Sequence, residues 1–475
     1  MMDFLSNLEC IIILALVFIL FVQLLNKNRN LPLVGILPEL IFNLYKFHDK
    51  VAQLLEERKG TFLHKGAWVG QMNMLFTSDP ANVRYIMSAN FSNYVKGPEW
   101  RKRFDIFGDH AKIIPDIIEK GLIPVLHDIS EQGTVVDLQD LFTRYTFEFA
   151  SLIATGSNTN SLMCTRVAEN QFPKAIDDAC EAIFARIVIP EAFWKLQRWL
   201  SIGKERKYKE SWKIIDKFWA KQMSIKQEKL SNAMTISEDE EELNALTGYL
   251  TRHDIFGQKP SSNVMRDNIT GLLFATEDTT SSALSWFFWL LSKNPFSEIK
   301  IREEVRKHIF PQDQVKKWRG NLEQLNKLVY LHAAICEALR LFPPVPYQLR
   351  TPLRPDTLPS GHQVDQKTAI AISGYAMGRM ASIWGEDCHE FKPERWITKE
   401  GGIKHEASHK FFAFNAGSRI CPGKEIGFTL MKAIITTIIH NYHVQLVETH
   451  PVTPNLSIVL RMKHGLKAKI NSRWA

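Results

Sequence analysis

Paired cysteines are missing from this chain. Its six cysteines (Cys10, Cys164, Cys180, Cys336, Cys388 and Cys421) are scattered, with no Cys-x-x-Cys and no other metal-ligand spacing, which sets aside a disulfide scaffold and a zinc finger. A strong charge of one sign is missing too. Against 51 Asp+Glu, 59 Lys+Arg leave +8 over 475 residues, spread too thinly to indicate nucleic acid as a partner. With 45% hydrophobic and 23% charged residues, disorder is excluded and a large core is affordable. Strand-like patterning is scarce, confined to Met72–Thr77, Ala369–Ser373 and Ser457–Met462. There is no internal repeat and no composition break. Length alone would allow about three domains, but one large, mainly helical domain with small sheets fits better.

Long apolar runs are also few. One stands out: Cys10 to Val22 is unbroken and extends through Leu24 and Leu25, with Asp3 and Glu9 before it and Lys27 and Arg29 after it. A secretory signal needs a positive charge ahead and a small-residue cleavage site behind, and neither is there. Residues 1–26 therefore read as a membrane anchor, short enough to suit a thin bilayer such as that of the endoplasmic reticulum. The bland alternative is a buried core helix. The basic flank puts the remaining chain on the cytoplasmic side, where unpaired thiols are at home. Residues 27–38 include Leu31-Pro-Leu-Val-Gly-Ile-Leu-Pro38, which stops a helix and makes a stiff connector. Residues 39–475 form the water-soluble body.

Within the body, Lys195–Lys229 carries eleven Lys/Arg among Trp194, Trp199, Trp212 and Trp219, spaced to suit one aromatic face. A solvated helix pair with a packed tryptophan stripe is the plain reading; a surface leaning on anionic lipid is the sharper one. Ser237–Glu242 is an acidic run read as an exposed loop.

The chemistry concentrates at Cys421, within Phe414-Asn-Ala-Gly417-Ser-Arg419-Ile-Cys421-Pro-Gly423. From Lys424 to His440 apolar residues recur with helical spacing. Cys421 thus lies at the mouth of a helix N-terminus, where free amides and the positive helix end stabilise a thiolate. A thiolate on a glycine-shaped loop is a metal ligand or a nucleophile; a buried core cysteine is the competing reading.

Phe-x-x-Gly-x-Arg-x-Cys-x-Gly resembles the haem-thiolate signature of the cytochrome P-450 superfamily. The resemblance implies that Cys421 is the axial ligand of a haem iron (haem b, iron protoporphyrin IX), that Arg419 pairs with a haem propionate, and that Phe414 packs beside the sulfur, with Gly423 closing the loop. Three other segments match in the family's order. Glu337-Ala-Leu-Arg340 sits on a helix expected over Leu328–Leu341, and Phe391-Lys-Pro-Glu-Arg395-Trp adds a cation. The resemblance makes Glu337, Arg340 and Arg395 a structural network rather than catalytic groups; an ordinary surface ion pair is the default for such spacing. Phe274-Ala-Thr276-Glu-Asp278-Thr279-Thr280 resembles the long distal helix, with Thr279 bonding dioxygen and Asp278 resupplying its proton. Thr276 stands where the family has glycine.

Two features compete. His405-Glu-Ala-Ser-His409 matches the His-Glu-x-x-His zinc pattern, but Gly401-Gly402 precede it and no amphipathic helix surrounds it. The family's Trp-x-x-x-Arg haem-gripping helix is not found: Trp100 is followed four residues later by Phe104, and Trp194-Lys-Leu-Gln-Arg198 comes too late. The stretch near 107–119 reads as compressed, as if a helix were missing through an incomplete transcript or in a catalytically impaired family member. A non-catalytic membrane protein that keeps the fold is the reading from another class.

Asn90-Phe-Ser-Asn-Tyr94, Gly133–Phe142, Trp384-Gly-Glu-Asp387 and Leu460-Arg-Met-Lys-His-Gly-Leu466 are similar to the plant branch of midchain alkane hydroxylases and noroxomaritidine synthases. The resemblance implies a monooxygenase that takes NADPH electrons from NADPH–cytochrome P-450 reductase and oxygenates a small hydrophobic substrate. A long alkane or fatty acyl chain drawn from membrane lipid is the first expectation, phenol coupling in alkaloid synthesis the second.

Overall fold

The computed structural model describes residues 47–64, 73–90, 93–95, 114–157, 159, 171–189, 191–232, 245–246, 262–310 and 322–474. The anchor expected over 1–26, the connector over 27–38, the acidic run and most of the compressed stretch lie outside the described residues. Among the described residues no helix is long and apolar enough to cross a membrane.

Helices dominate. In chain order they include α1 (Phe47–Glu57), α2 (Ile123–Gln132), α3 (Leu138–Thr155), α4 (Gln171–Val188), α5 (Glu191–Leu200), α6 (Gly203–Asn232), α7 (Ser262–Lys293), α8 (Pro295–His308), α9 (Val329–Leu341) and α10 (Lys424–Asn441). Their ends follow local chemistry. Asp137 caps α3 by accepting from the amides of Gln139 and Asp140, and Gly156 closes it in the left-handed conformation that glycine adopts without strain. The basic pair expected over Lys195–Lys229 is α5 and α6, broken where Ser201 (φ 52°) and Gly203 (φ 56°) turn the chain. Its tryptophans do not share one face: Trp219 is buried, whereas Trp199 is 79% exposed.

The 32-residue α7 spans about 48 Å at 1.5 Å per residue. Its middle is buried on most sides, because α3 packs along it while α9 and α10 press from other directions. One core joins these helices through Phe142, Phe149, Trp286, Leu331, Ile335 and Ile435.

The strands form small sheets. In chain order, β1 (Thr61–His64), β2 (Asn73–Thr77), β3 (Tyr94–Val95), β4 (Val135–Asp137), β5 (Tyr347–Pro352), β6 (Asp356–Thr357), β7 (Gln363–Val364), β8 (Thr368–Ser373), β9 (Tyr442–Leu446) and β10 (Lys467–Ser472) are found. The larger sheet runs β1-β2-β8-β5-β3, with β2 and β8 parallel and Leu75 opposite Ile370. A second runs β4-β10-β9 and a hairpin joins β6 to β7. The expected strand Ser457–Met462 is instead a series of bends. Its backbone is claimed by other partners: the Leu460 carbonyl accepts from the Ser282 hydroxyl (2.7 Å) and the Trp286 indole (2.6 Å), and its amide donates to Pro344 (2.8 Å). This anchors the 455–462 segment against α7.

Candidate active site

The cysteine loop is built from two short 3-10 turns, Phe412–Phe414 and Gly417–Arg419, followed by Cys421 and then Gly423 at the cap of α10. The Cys421 amide donates to the Phe414 carbonyl at 2.8 Å, which folds the loop back on itself. Asn415 (φ 66°) and Gly417 (φ 58°) supply the sharp bends. A Cβ on Gly417 would stand 2.0 Å from the Met87 carbonyl oxygen, so only glycine lets the loop lie on the Tyr85–Ala89 turn. Cys421 is half-buried. Phe414 rests against Phe428 at 5.3 Å, and Phe428 stacks on His332 at 4.4 Å.

Beneath this loop, Glu337 and Arg340 form a two-pronged bond, both contacts at 2.7 Å, with both side chains fully buried. Arg340 also donates to the carbonyls of Gly378, Cys388 and Glu390. Arg395 reaches Glu337 at 3.4 Å and Asp387 at 2.8 Å, and the Trp396 indole donates to Glu337 at 2.8 Å. The three network residues are therefore brought together, on helix α9 and the Pro393–Trp396 turn. A surface ion pair is excluded. Such a buried pair needs its remaining donors satisfied to repay desolvation, and the carbonyls do this.

On α7, Ala275, Thr276 and Thr279 share a half-buried face, and the Thr279 hydroxyl donates to the Ala275 carbonyl at 2.7 Å. Glu277 and Asp278 are fully buried on other sides of the helix. Asp278 accepts from Arg461 at 2.9 Å; Arg461 also holds Asp177 and the Thr143 hydroxyl. Burial pushes the Asp278 carboxyl above its usual range against the pull of Arg461. Glu277 is raised further by burial and by Asp278 and Asp177. Asp278 is thus held toward Arg461, one helix step off the Thr279 face.

Sequence reasoning missed two arginines. Arg350, on β5, is 2% exposed; one nitrogen donates to the Leu349 carbonyl at 2.6 Å, and Nη2 has no hydrogen-bond partner among the described residues. Burial, reinforced by the neighbouring Arg419 cation, lowers its pKa to about 10. Its signal was an arginine at an inward strand position. Arg461 was legible only as a charge between Leu460 and Met462. The zinc pattern loses its helix: residues 405–407 have no regular structure, and Glu406 is ion-paired to Lys404 (2.8 Å) and Lys410 (3.1 Å). Among the described residues no group of three or more His, Cys, Asp or Glu could hold a metal ion.

The family profile for cytochrome P-450 matches residues 112–470. The chain belongs to the cytochrome P-450 family. Alkane hydroxylase MAH1 of Arabidopsis thaliana is 38% identical over 94% of this chain and 93% of its own. Noroxomaritidine synthase of Narcissus aff. pseudonarcissus MK-2014 is also 38% identical, over 94% and 91%. Cytochrome P-450 86B1 of Arabidopsis thaliana is 34% identical, over 93% and 85%. This cytochrome P-450 is thus an oxidoreductase of the plant branch these relatives represent, a monooxygenase with a haem cofactor and electrons supplied from NADPH through a reductase. Its mainly helical fold with small sheets is that of the family.

The residues present fit haem. A thiolate-capable side chain stands on a loop shaped by Asn415 and Gly417. A buried guanidinium with an unpartnered nitrogen lies near a second one, which is what an anionic edge bearing carboxylates needs.

Proposed function

We propose that this cytochrome P-450 hydroxylates long aliphatic chains, with Cys421 as the iron ligand and residues 1–26 as its anchor in the endoplasmic reticulum membrane, the body (39–475) facing the cytoplasm. The observation that carries the site is the glycine-dependent loop that bears Cys421 and Arg419, with the buried Arg350 close enough to feel the Arg419 charge. Ligated by a thiolate, the haem supplies O–O cleavage. Cys421 would hold the iron, Arg419 and Arg350 would neutralise the propionates, Phe414 would shield the sulfur from water, and Gly423 leaves room for the start of α10. Glu337, Arg340 and Arg395 fix the floor without touching substrate. Thr279 holds a proton at its hydroxyl, and the Asp278 carboxyl restores it when the bond to Arg461 releases.

The +8 charge suits docking of an acidic reductase. A segment is missing near 107–119 on this reading; the alignment with alkane hydroxylase MAH1 runs 480 positions yet takes up 94% of 475 residues, about 447, so about 33 positions along its length have no residue here. Sequencing the transcript across this stretch tests it; an uninterrupted message with no further Trp-x-x-x-Arg codons favours an impaired enzyme.

Two experiments test the rest. Cys421→Ala should abolish the thiolate-type Soret band of the reduced carbon monoxide complex; a band like the parent's rules out Cys421 as ligand. Mass analysis of products from microsomes given NADPH and a long-chain alkane should show an in-chain alcohol. The noroxomaritidine synthases at equal identity favour one second reading, phenol coupling; a coupled product from a phenolic alkaloid, with alkane untouched, would select it.

A further inference from the structure

The Arg461 guanidinium joins two acids of opposite exposure. Its Nη1 bonds both Asp278, fully buried on α7, and Asp177 on α4, whose side chain is 35% exposed. One nitrogen therefore stands between an acid at the solvent boundary and an acid behind the distal helix. Glu277 completes the cluster. It is fully buried, both of its carboxyl oxygens are without a hydrogen-bond partner among the described residues, and burial pushes its carboxyl well up, with Asp278 and Asp177 adding to this and Arg461 opposing it.

Asp278 and Glu277 are buried near a single guanidinium, which also bonds Asp177 at the solvent boundary. The two buried carboxyls cannot both ionise there, because one cation balances only one anion and unpaired buried charge is costly. The cluster therefore stores protons at neutral pH. Among the described residues, the other groups facing it supply no second buried cation. From α4, Asp178 is drawn outward to Lys207 (3.5 Å) and Glu181 to Lys204 (3.7 Å) and Asn455 (2.8 Å), while Cys180 keeps its thiol protonated through burial. From α3 come the hydroxyls of Thr143 and Thr146.

We infer that Asp177 is the solvent-side proton port for Asp278, with Arg461 as the movable tether between them. This rests on the reading of Asp278 as the acid behind Thr279. The transfers balance. An O–H bond of Asp278 breaks as its proton leaves toward Thr279; the resulting carboxylate takes a proton from the Asp177 carboxyl; Asp177 is reprotonated by water. Arg461 keeps all its N–H protons and follows whichever carboxyl is ionised. Asp177 is suited to the exchange: burial, with Asp278, Glu181 and Asp178 adding to it and Arg461 opposing, raises its pKa to about 7.

The test uses the full-length, haem-loaded protein in lipid nanodiscs. Infrared titration of the parent should show a protonated-carboxyl band that disappears as pH rises through about 7, and Asp177→Asn should remove it while the reduced carbon monoxide spectrum stays as in the parent. The same variant should lower NADPH-driven turnover roughly tenfold and enlarge the solvent deuterium isotope effect. Asp177→Glu should restore both, and Asp178→Asn should change neither. A parent without a carboxyl band in that range, or an Asp177→Asn protein with the parent's turnover and isotope effect, overturns the port. Asp278→Asn separates the two readings: if it is slow and Asp177→Asn is not, only the port is wrong; if neither is slow, the acid role of Asp278 falls as well. Should Asp177→Asn fail to fold, Asp278→Asn decides, since removing a carboxyl that raises Asp177 must move the band to lower pH, and an unmoved band sinks the inference.

Discussion

Arg340 spends all its donors inside the protein, and this makes its partner Glu337 irreplaceable in kind. Glu337→Ala would leave two guanidinium donors buried with no acceptor and also release the Trp396 indole. Breaking a buried pair by removing one partner costs about 3–5 kcal/mol. Urea denaturation should show that loss, together with a lower haem content of the purified protein. Gly417 is decided by space rather than charge. Gly417→Ala places a methyl 2.0 Å from the Met87 carbonyl at a positive φ; the backbone alone costs about 1–2 kcal/mol. The loop must shift, so the thiolate-type Soret band should weaken in favour of a thiol or detached form. Both positions were legible as motif residues. What was not legible is what they touch, because Met87, Gly378 and the Cys388 carbonyl are reached only through the fold.

At the scale of elements, α9 was readable from its apolar spacing and its Pro343-Pro344 stop, and the structure begins it at Val329. The helix α10 was readable for the same reason, from Lys424 onward. Ser457–Met462 was not. It read as strand-like, but no sequence rule announces that Ser282 and Trp286, some 175 residues earlier, will take the Leu460 carbonyl. That shared acceptor gives a prediction. Ser282→Ala and Trp286→Phe should each cost about 1 kcal/mol, the remaining donor keeping the carbonyl satisfied. Together they orphan it, so the double variant should lose more than the two singles added, a coupling that a double-mutant cycle in urea would measure. A strictly additive cycle would mean that water replaces both donors.

At the scale of the whole molecule, two histidines sit where burial disfavours their protonation, and both add to acid sensitivity. His48 on α1 is buried among Phe47, Phe184 and Tyr347, with neither ring nitrogen partnered among the described residues, and burial lowers its pKa to about 4. His332, stacked on Phe428, is lowered to about 3, chiefly by burial and then by Lys432 and Lys424. A histidine with a depressed folded pKa is neutral in the native state while the unfolded chain takes up the proton. Stability is therefore whole above about pH 6.5 and declines as pH falls toward 4. For His48 the decline amounts to about 3 kcal/mol. His48→Phe should flatten thermal stability between pH 6.5 and 4; an unchanged slope would put the acid lability elsewhere. Nothing in the sequence marks either histidine, since their depressed pKa values come from neighbours on other elements.

The Gly417–Met87 contact also carries a consequence for biosynthesis. The two residues lie about 330 positions apart, yet the thiolate loop takes its shape only by resting on the Tyr85–Ala89 turn. The ribosome must therefore release nearly the whole chain before the cofactor's seat exists. Haem capture therefore comes late in the making of the chain, once the loop and the turn can meet.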